Sequence, residues 1–380
     1  MLQDTSNEEL RDPRHLLANP RALDAPLEVP EAPGTTISVY RAEKDGWTFN
    51  LHPYITWFAG RFWAMWSSGR RDEEGRGQLV RYASSGDGKS WNECGVLAHP
   101  DQTRDGPGIC IARGLFAHRR RLKAFVAFLD DLIPAKAWLN LRLVRFVWDG
   151  QLWQNGGILL SDAINNFPPR RVGNHYFMTV SNGVREMFTA VSESLILDRW
   201  RISPLPGRYP PNRMREPSWY VDPRGIVHLL FRDSERAGYL FHSLSQDQGM
   251  SWSEPLQTDY PDATSKNFTG RLSNGWYFLI SNPNPLQRDP LVISFSRDGW
   301  TFDHPAALRK NAPERRFEGR AKPTRTFQYP HAIEKDGSLW VIYSTNKEDI
   351  EVSEYPFSGL LPRLSPPATD SHSPAYRTTS

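Results

Sequence analysis

Ser245-Gln246-Asp247-Gln248-Gly249-Met250-Ser251-Trp252 reads Ser-x-Asp-x-Gly-x-Ser-Trp, and shorter versions of it recur along the chain. Ser85-Gly86-Asp87-Gly88-Lys89-Ser90-Trp91 is one residue shorter, and Ser296-Arg297-Asp298-Gly299-Trp300-Thr301-Phe302 is short in the same way and ends in Phe. Asp45-Gly46-Trp47-Thr48-Phe49 and Asp149-Gly150-Gln151-Leu152-Trp153 keep only the Asp-Gly and the aromatic end. An Asp bonds back to its own backbone, and a Gly supplies a positive φ at little cost. The closing aromatic packs beneath the turn. These aromatics fall at 49, 91, 153, 252 and 302, with gaps of 42, 62, 99 and 50; Asp198-Arg199-Trp200 divides the gap of 99 into 47 and 52. A period of about 50 residues suits one four-stranded propeller blade. The predicted fold is therefore all-β: a six-bladed propeller of four-stranded antiparallel blades.

The strands around these turns are short and aromatic-rich. Tyr54–Phe58 and Arg61–Trp66 form one predicted hairpin, Val227–Arg232 and Gly238–His242 another, and Trp276–Ile280 pairs with Leu291–Phe295. Ser338–Ser344 is the last strong strand. No segment shows a sustained amphipathic helical stripe. Residues 1–34 are polar and Pro-rich and read as a tail or strap, 35–357 as the propeller, and 358–380 as a disordered tail. Pairing a strand near Ile37–Arg41 with strands from 329–353 would close the ring and remove its exposed edges. The long Asn92–Trp153 stretch leaves a seventh blade open.

The 46 basic and 43 acidic residues leave a net charge of +3, which gives no reason to expect a nucleic-acid partner. A local basic excess would still suit an anionic small substrate. The 14 Trp, 13 Tyr and 19 Phe suit packed sheets and sugar-stacking clefts alike. Cys94 and Cys110 form neither a disulfide framework nor a zinc spacing, and no catalytic metal or other cofactor is expected. No basic n-region followed by an apolar run opens the chain, and no segment is apolar enough to span a membrane, so a cytoplasmic monomer is the expectation.

Polar residues beside the predicted inner strands are His52, Glu216, Arg232, Arg288 and Tyr329. In order along residues 40–353, they resemble the sialidase superfamily of Asp-box propellers. Arg215-Glu216-Pro217-Ser218 followed by Leu230-Phe231-Arg232 is similar to the family's Glu segment and its next-strand Arg. Arg288-Asp289-Pro290-Leu291 is similar to the last carboxylate-binding Arg segment, and Tyr329-Pro330-His331-Ala332 to the segment of the nucleophilic Tyr. The resemblance implies an exo-acting glycoside hydrolase for a glycan whose non-reducing end carries a carboxylated sugar. Two Arg fork onto a carboxylate. A Tyr next to a Glu base becomes a usable nucleophile, the known departure of sialidases from the two-carboxylate scheme. The acid/base residue is expected in the loop Asp72-Glu73-Glu74, with Glu74 preferred.

Two features depart from the family pattern. Leu51 stands where its first Arg is expected, with His52 before Pro53, so the arginine clamp is short of one member unless Arg41, Arg70 or Arg71 supplies it. Arg71 is the substitute chosen, and His331 a further substrate contact. No Asp occupies the acid position. His52, His331 and Tyr329 could instead support β-elimination on a uronate, as in propeller-type polysaccharide lyases. A non-catalytic glycan-binding propeller is a third reading. The expected partner in all three is an acidic glycan.

Overall fold

A computed structural model describes residues 11–91, 93–133, 137–206, 213–319 and 323–360. Six antiparallel sheets form a ring, one blade each. In blade 1 the strands Phe49–Phe58, Arg61–Gly69, Leu79–Ser85 and Glu93–Ala98 run outward from the axis in sequence order. Blade 2 (Ile109–His118, Arg121–Leu129, Arg142–Trp148, Trp153–Ser161) repeats the scheme. Blade 3 has a broken inner strand, Ile164–Asn165 and Arg170–Val172, against His175–Ser181, then Met187–Ser192 and Trp200–Pro204. Blade 4 spans Met214–Pro261 and blade 5 Phe268–Arg309, four strands each. In blade 6, Thr35–Tyr40 is the outer strand, paired with Asp349–Pro356, so N- and C-terminal segments share one sheet and close the ring.

The Asn92–Trp153 stretch makes one blade, not two. Its surplus forms two small hairpins, Gln102–Thr103 with Gly106–Pro107 and Asp131–Ile133 with Ala137–Leu139. The N-terminal segment lies along blades 4 and 5: Leu17 and Glu31 bridge Phe302 and Ala307, and Leu16, Leu17, Leu23 and Val29 join the core beneath. At the other end Phe357–Leu360 is a helical turn with Leu360 buried. Residues 1–10 and 361–380 lie outside the described residues.

The recurrent turns share one position, joining the third and fourth strands of blades 1 to 5. Gly88, Gly249 and Gly299 each donate N–H to Ser85, Ser245 and Ser296 Oγ at 2.9, 2.7 and 2.9 Å. Asp87, Asp247 and Asp298 accept the following amides, for instance Lys89 and Ser90 N–H at 2.8 Å. The Gly88 φ is +74°, and a Cβ there would lie 2.5 Å from the Trp340 ring. Trp91 and Trp252 donate their indole N–H to the glycine carbonyls of their own turns. Asp45–Phe49 is the exception. It precedes the inner strand of blade 1, so the aromatic at 49 does not belong to the series. Antiparallel order places the third-to-fourth turns at the ends of the innermost strands. The face where those strands begin is left for other residues.

Candidate active site

Four innermost strands carry the same local device near their starts. The register slips between Leu51 and Tyr54, Ala112 and Gly114, Arg215 and Ser218, and Gln328 and His331. A bulge of this kind leaves an extra residue unpaired and re-aims its side chain. The residues so exposed are His52, Arg113, Glu216 and Tyr329. Three of them hold left-handed backbone, with φ of 56° at His52, 48° at Glu216 and 60° at Tyr329. Each of the three is followed by a proline, Pro53, Pro217 and Pro330, which has no N–H to lose from the ladder. Non-glycine residues in this region cost of order 1–3 kcal/mol and gather at functional sites.

These side chains meet in a cavity of about 650 Å³ on the axis. Tyr329 Oη donates to Glu216 Oε2 at 3.2 Å, and Arg232 pairs with the same oxygen at 2.8 Å. Arg232 Nη1 and Arg288 Nη2 both donate to the Thr264 carbonyl, at 3.0 and 2.8 Å, and Arg288 also reaches the Gln328 side chain. The two guanidiniums are therefore neighbours beside Tyr329. Burial acts to raise the Glu216 carboxyl, but the Arg232, Arg215 and Lys266 charges outweigh it and hold it well below the usual carboxylate range. Burial and the Glu216 charge push the Tyr329 phenol up to about 12. The resting pair is thus a carboxylate accepting from a neutral phenol.

Glu74 lies on the cavity wall. Trp138 donates its indole N–H to Glu74 Oε1 at 3.1 Å, and Arg185 stands 3.8 Å from Oε2. Burial, and then the Glu73 charge, raise its pKa above that of an ordinary glutamate. Such a group keeps a proton to higher pH. His52 also lines the cavity, packed edge-on to Tyr329 with centroids 5.2 Å apart. Its Nδ1 meets Ser67 Oγ at 3.1 Å and its Nε2 lies 3.8 Å from Glu73. Burial and the Arg113 charge keep the ring neutral.

Two expected residues are elsewhere. Arg71 is exposed, as are Arg41 and Arg70, and Arg70 stacks on Trp47 at 4.4 Å instead. None of the three lines the cavity: Arg70 and Arg71 lie where their loop leaves the second strand of blade 1, and Arg41 follows the outer strand of blade 6. His331 is packed in the core among Tyr54, Phe167 and Phe268, with Nδ1 accepting the Ile55 N–H at 3.3 Å. The bulge that presents Tyr329 faces His331 away from the cavity. Leu51 is fully buried with Phe49 under Tyr329, so an apolar support fills the place where an arginine was expected.

The cationic lining was largely unforeseen. Arg113, Arg185, Arg215, Arg232, Arg288 and Lys347 face Glu73, Glu74 and Glu216. Glu216 pairs with Arg232, Glu74 with Arg185, and Glu73 with Lys347. Arg113, Arg215 and Arg288 have no carboxylate partner among the described residues. A sequence signal existed for Arg113, a lone charge within the apolar strand Ile109–Leu115, and for Arg215, next to Glu216. Lys347, in a turn far from any recognisable motif, carried none.

The fold and the repeat have known counterparts. The family model described as BNR repeat-like domain matches residues 151–341. A solved structure described as a sialidase is 21% identical, with a TM-score of 0.65 over 86% of this chain, which spans 33% of that one. A Dyadobacter fermentans protein of unknown function is 15% identical at a TM-score of 0.65, covered over 86% of this chain and 99% of its own. Trypanosoma rangeli sialidase in complex with the inhibitor DANA is 12% identical at a TM-score of 0.61, covered over 85% and 60%. No curated protein matches. The repeated turns, the six-bladed ring and the matched residues lead to one conclusion: the chain belongs to the BNR repeat-like domain family, as a distant member of the sialidase-like propellers.

Proposed function

We propose that the protein is an exo-acting glycoside hydrolase for a glycan ending in a carboxylated sugar. The observation that carries this reading is one carboxylate oxygen, Glu216 Oε2, shared by the Tyr329 hydroxyl and Arg232, with Arg288 alongside. Arg232 and Arg288 bind the sugar carboxylate. That anion takes up part of the charge that suppresses Glu216, and so restores its basicity when substrate is present. Tyr329 Oη then attacks the anomeric carbon as Glu216 accepts its proton. Glu74 donates its proton to the departing glycosidic oxygen, and afterwards draws a proton from the water that cleaves the glycosyl–tyrosine bond. His52 packs against the Tyr329 ring and fixes its position.

A lyase reading has one observation in its favour, the neutral His52 beside Tyr329. Incubation with a panel of sialosides and uronate glycans separates the possibilities. Release of a reducing sugar with no new ultraviolet absorbance supports hydrolysis. A rise in absorbance marks the unsaturated uronate of elimination and overturns it. Binding with no product from any glycan would leave a lectin-like propeller.

A further inference from the structure

The cavity holds more positive charge than one carboxylate needs. Arg232 and Arg288 share the Thr264 carbonyl and form a single locus. Arg113 lies on the inner strand of blade 2, and Arg288 in the loop between the second and third strands of blade 5. In a six-membered ring these blades face each other across the axis. Arg113 is 5% exposed, lines the cavity, and has no hydrogen-bond partner for Nε. Its charge acts on Glu216 and Glu74, but Arg232 and Arg185 already pair those acids, so an arriving anion would offset the surplus. The strand bulge at Ala112–Gly114 leaves Arg113 as its extra residue, the same device that presents His52, Glu216 and Tyr329. Its backbone is anchored, since Asn165 Nδ2 donates to the Arg113 carbonyl at 2.7 Å. The same wall holds acceptors without partners, Asn165 Oδ1, Asn166 Oδ1 and Thr179 Oγ1, all in side chains that line the cavity.

We propose that the substrate carries a second oxyanion, and that Arg113 reads it across the axis from the Arg232–Arg288 locus. This rests on the reading of that locus as the carboxylate site. The second group is a carboxylate on the adjoining sugar or a sulfate ester on the same sugar. A sugar with one carboxylate satisfies only half of the site.

Crystals soaked in selenate test this directly, because selenate is an anomalous-scattering dianion of sulfate shape. Two peaks are expected in the cavity, one against Arg113 and one between Arg232 and Arg288. The Arg113→Gln variant should lose only the first, and Arg113→Lys should keep it. A single peak at Arg232 and Arg288 would overturn the second site and leave the carboxylate site standing. An empty locus at Arg232 and Arg288 would instead count against the reading on which the proposal rests. Co-soaks with digalacturonate, or with a sulfated methyl galacturonoside, identify the group by which of them displaces selenate from Arg113. Displacement by neither would also overturn the proposal.

Discussion

Alanine at Arg288 and alanine at Arg232 should separate ligand recognition from structural support. The two arginines share the Thr264 carbonyl but differ in their other partner. Arg232 is 2.8 Å from Glu216, whereas Arg288 reaches only the neutral Gln328 side chain. Arg232→Ala leaves Glu216 without its closest cation. Breaking a buried ion pair costs about 3–5 kcal/mol. The other charges around Glu216, Arg215 and Lys266, place this site at the lower end. Arg288→Ala forfeits two ordinary hydrogen bonds, one of whose acceptors keeps Arg232, for about 1 kcal/mol. A domain of this size shifts its Tm by roughly 1–2 °C per kcal/mol. The expected losses are then about 3–6 °C for Arg232→Ala and about 1–2 °C for Arg288→Ala. Affinity for a carboxylated sugar should fall by about 2–5 kcal/mol in both, the order for truncating one partner of a buried charge pair. At about 1.4 kcal/mol per decade that is at least roughly 30-fold. Calorimetric titration with a uronate and with its neutral hexose, beside thermal melts, reads all four quantities. Equal losses for the uronate and the hexose in Arg288→Ala would refute the reasoning, since they would make the arginine a structural support.

Tyr329→Phe should abolish turnover and keep acidic-ligand binding within a few-fold, measured by product release and by titration; retained turnover would exclude Tyr329 as nucleophile. Glu74→Gln should remove the alkaline limb of the rate profile, because the raised Glu74 pKa makes activity fall as pH climbs through it; an unchanged limb would place the acid elsewhere. Asp262, buried behind the arginine locus, is pushed up to about 7, chiefly by burial. The folded protein therefore holds a proton that the unfolded chain has already lost, and stability declines as pH rises from about 4 to about 7, by up to about 1.4 kcal/mol per pH unit. Asp262→Asn should flatten that decline in denaturant titrations across the window, and an unaltered slope would assign it to other groups.

The blade count was legible in the sequence because it depends on local chemistry. A Ser-x-Asp turn is built from side chains that bond to amides two to four residues away, so its residues must be adjacent in the chain. Three such turns, with reduced versions at Asp149 and Asp198 between them, leave few architectures other than a propeller. Asp45–Phe49 shows the limit of that argument, since the same letters can stand before an inner strand and belong to no blade turn. Glu216, Arg232, Arg288 and Tyr329 were also legible, because each sits beside a recognisable strand and two of them precede proline.

What the sequence by itself determined, then, is the repeat, the all-β character and the identity of the central four residues. Only the tertiary structure decided which other side chains join them. Arg113, Arg185 and Lys347 come from separate blades, and their meeting depends on the bulges and on ring closure, which no local pattern encodes. Leu51 and His331 show the converse. Plain alternation already turns Leu51 away from the adjacent His52. It would have put His331 on the same face as Tyr329, two residues earlier, and the extra residue in that bulge reverses it.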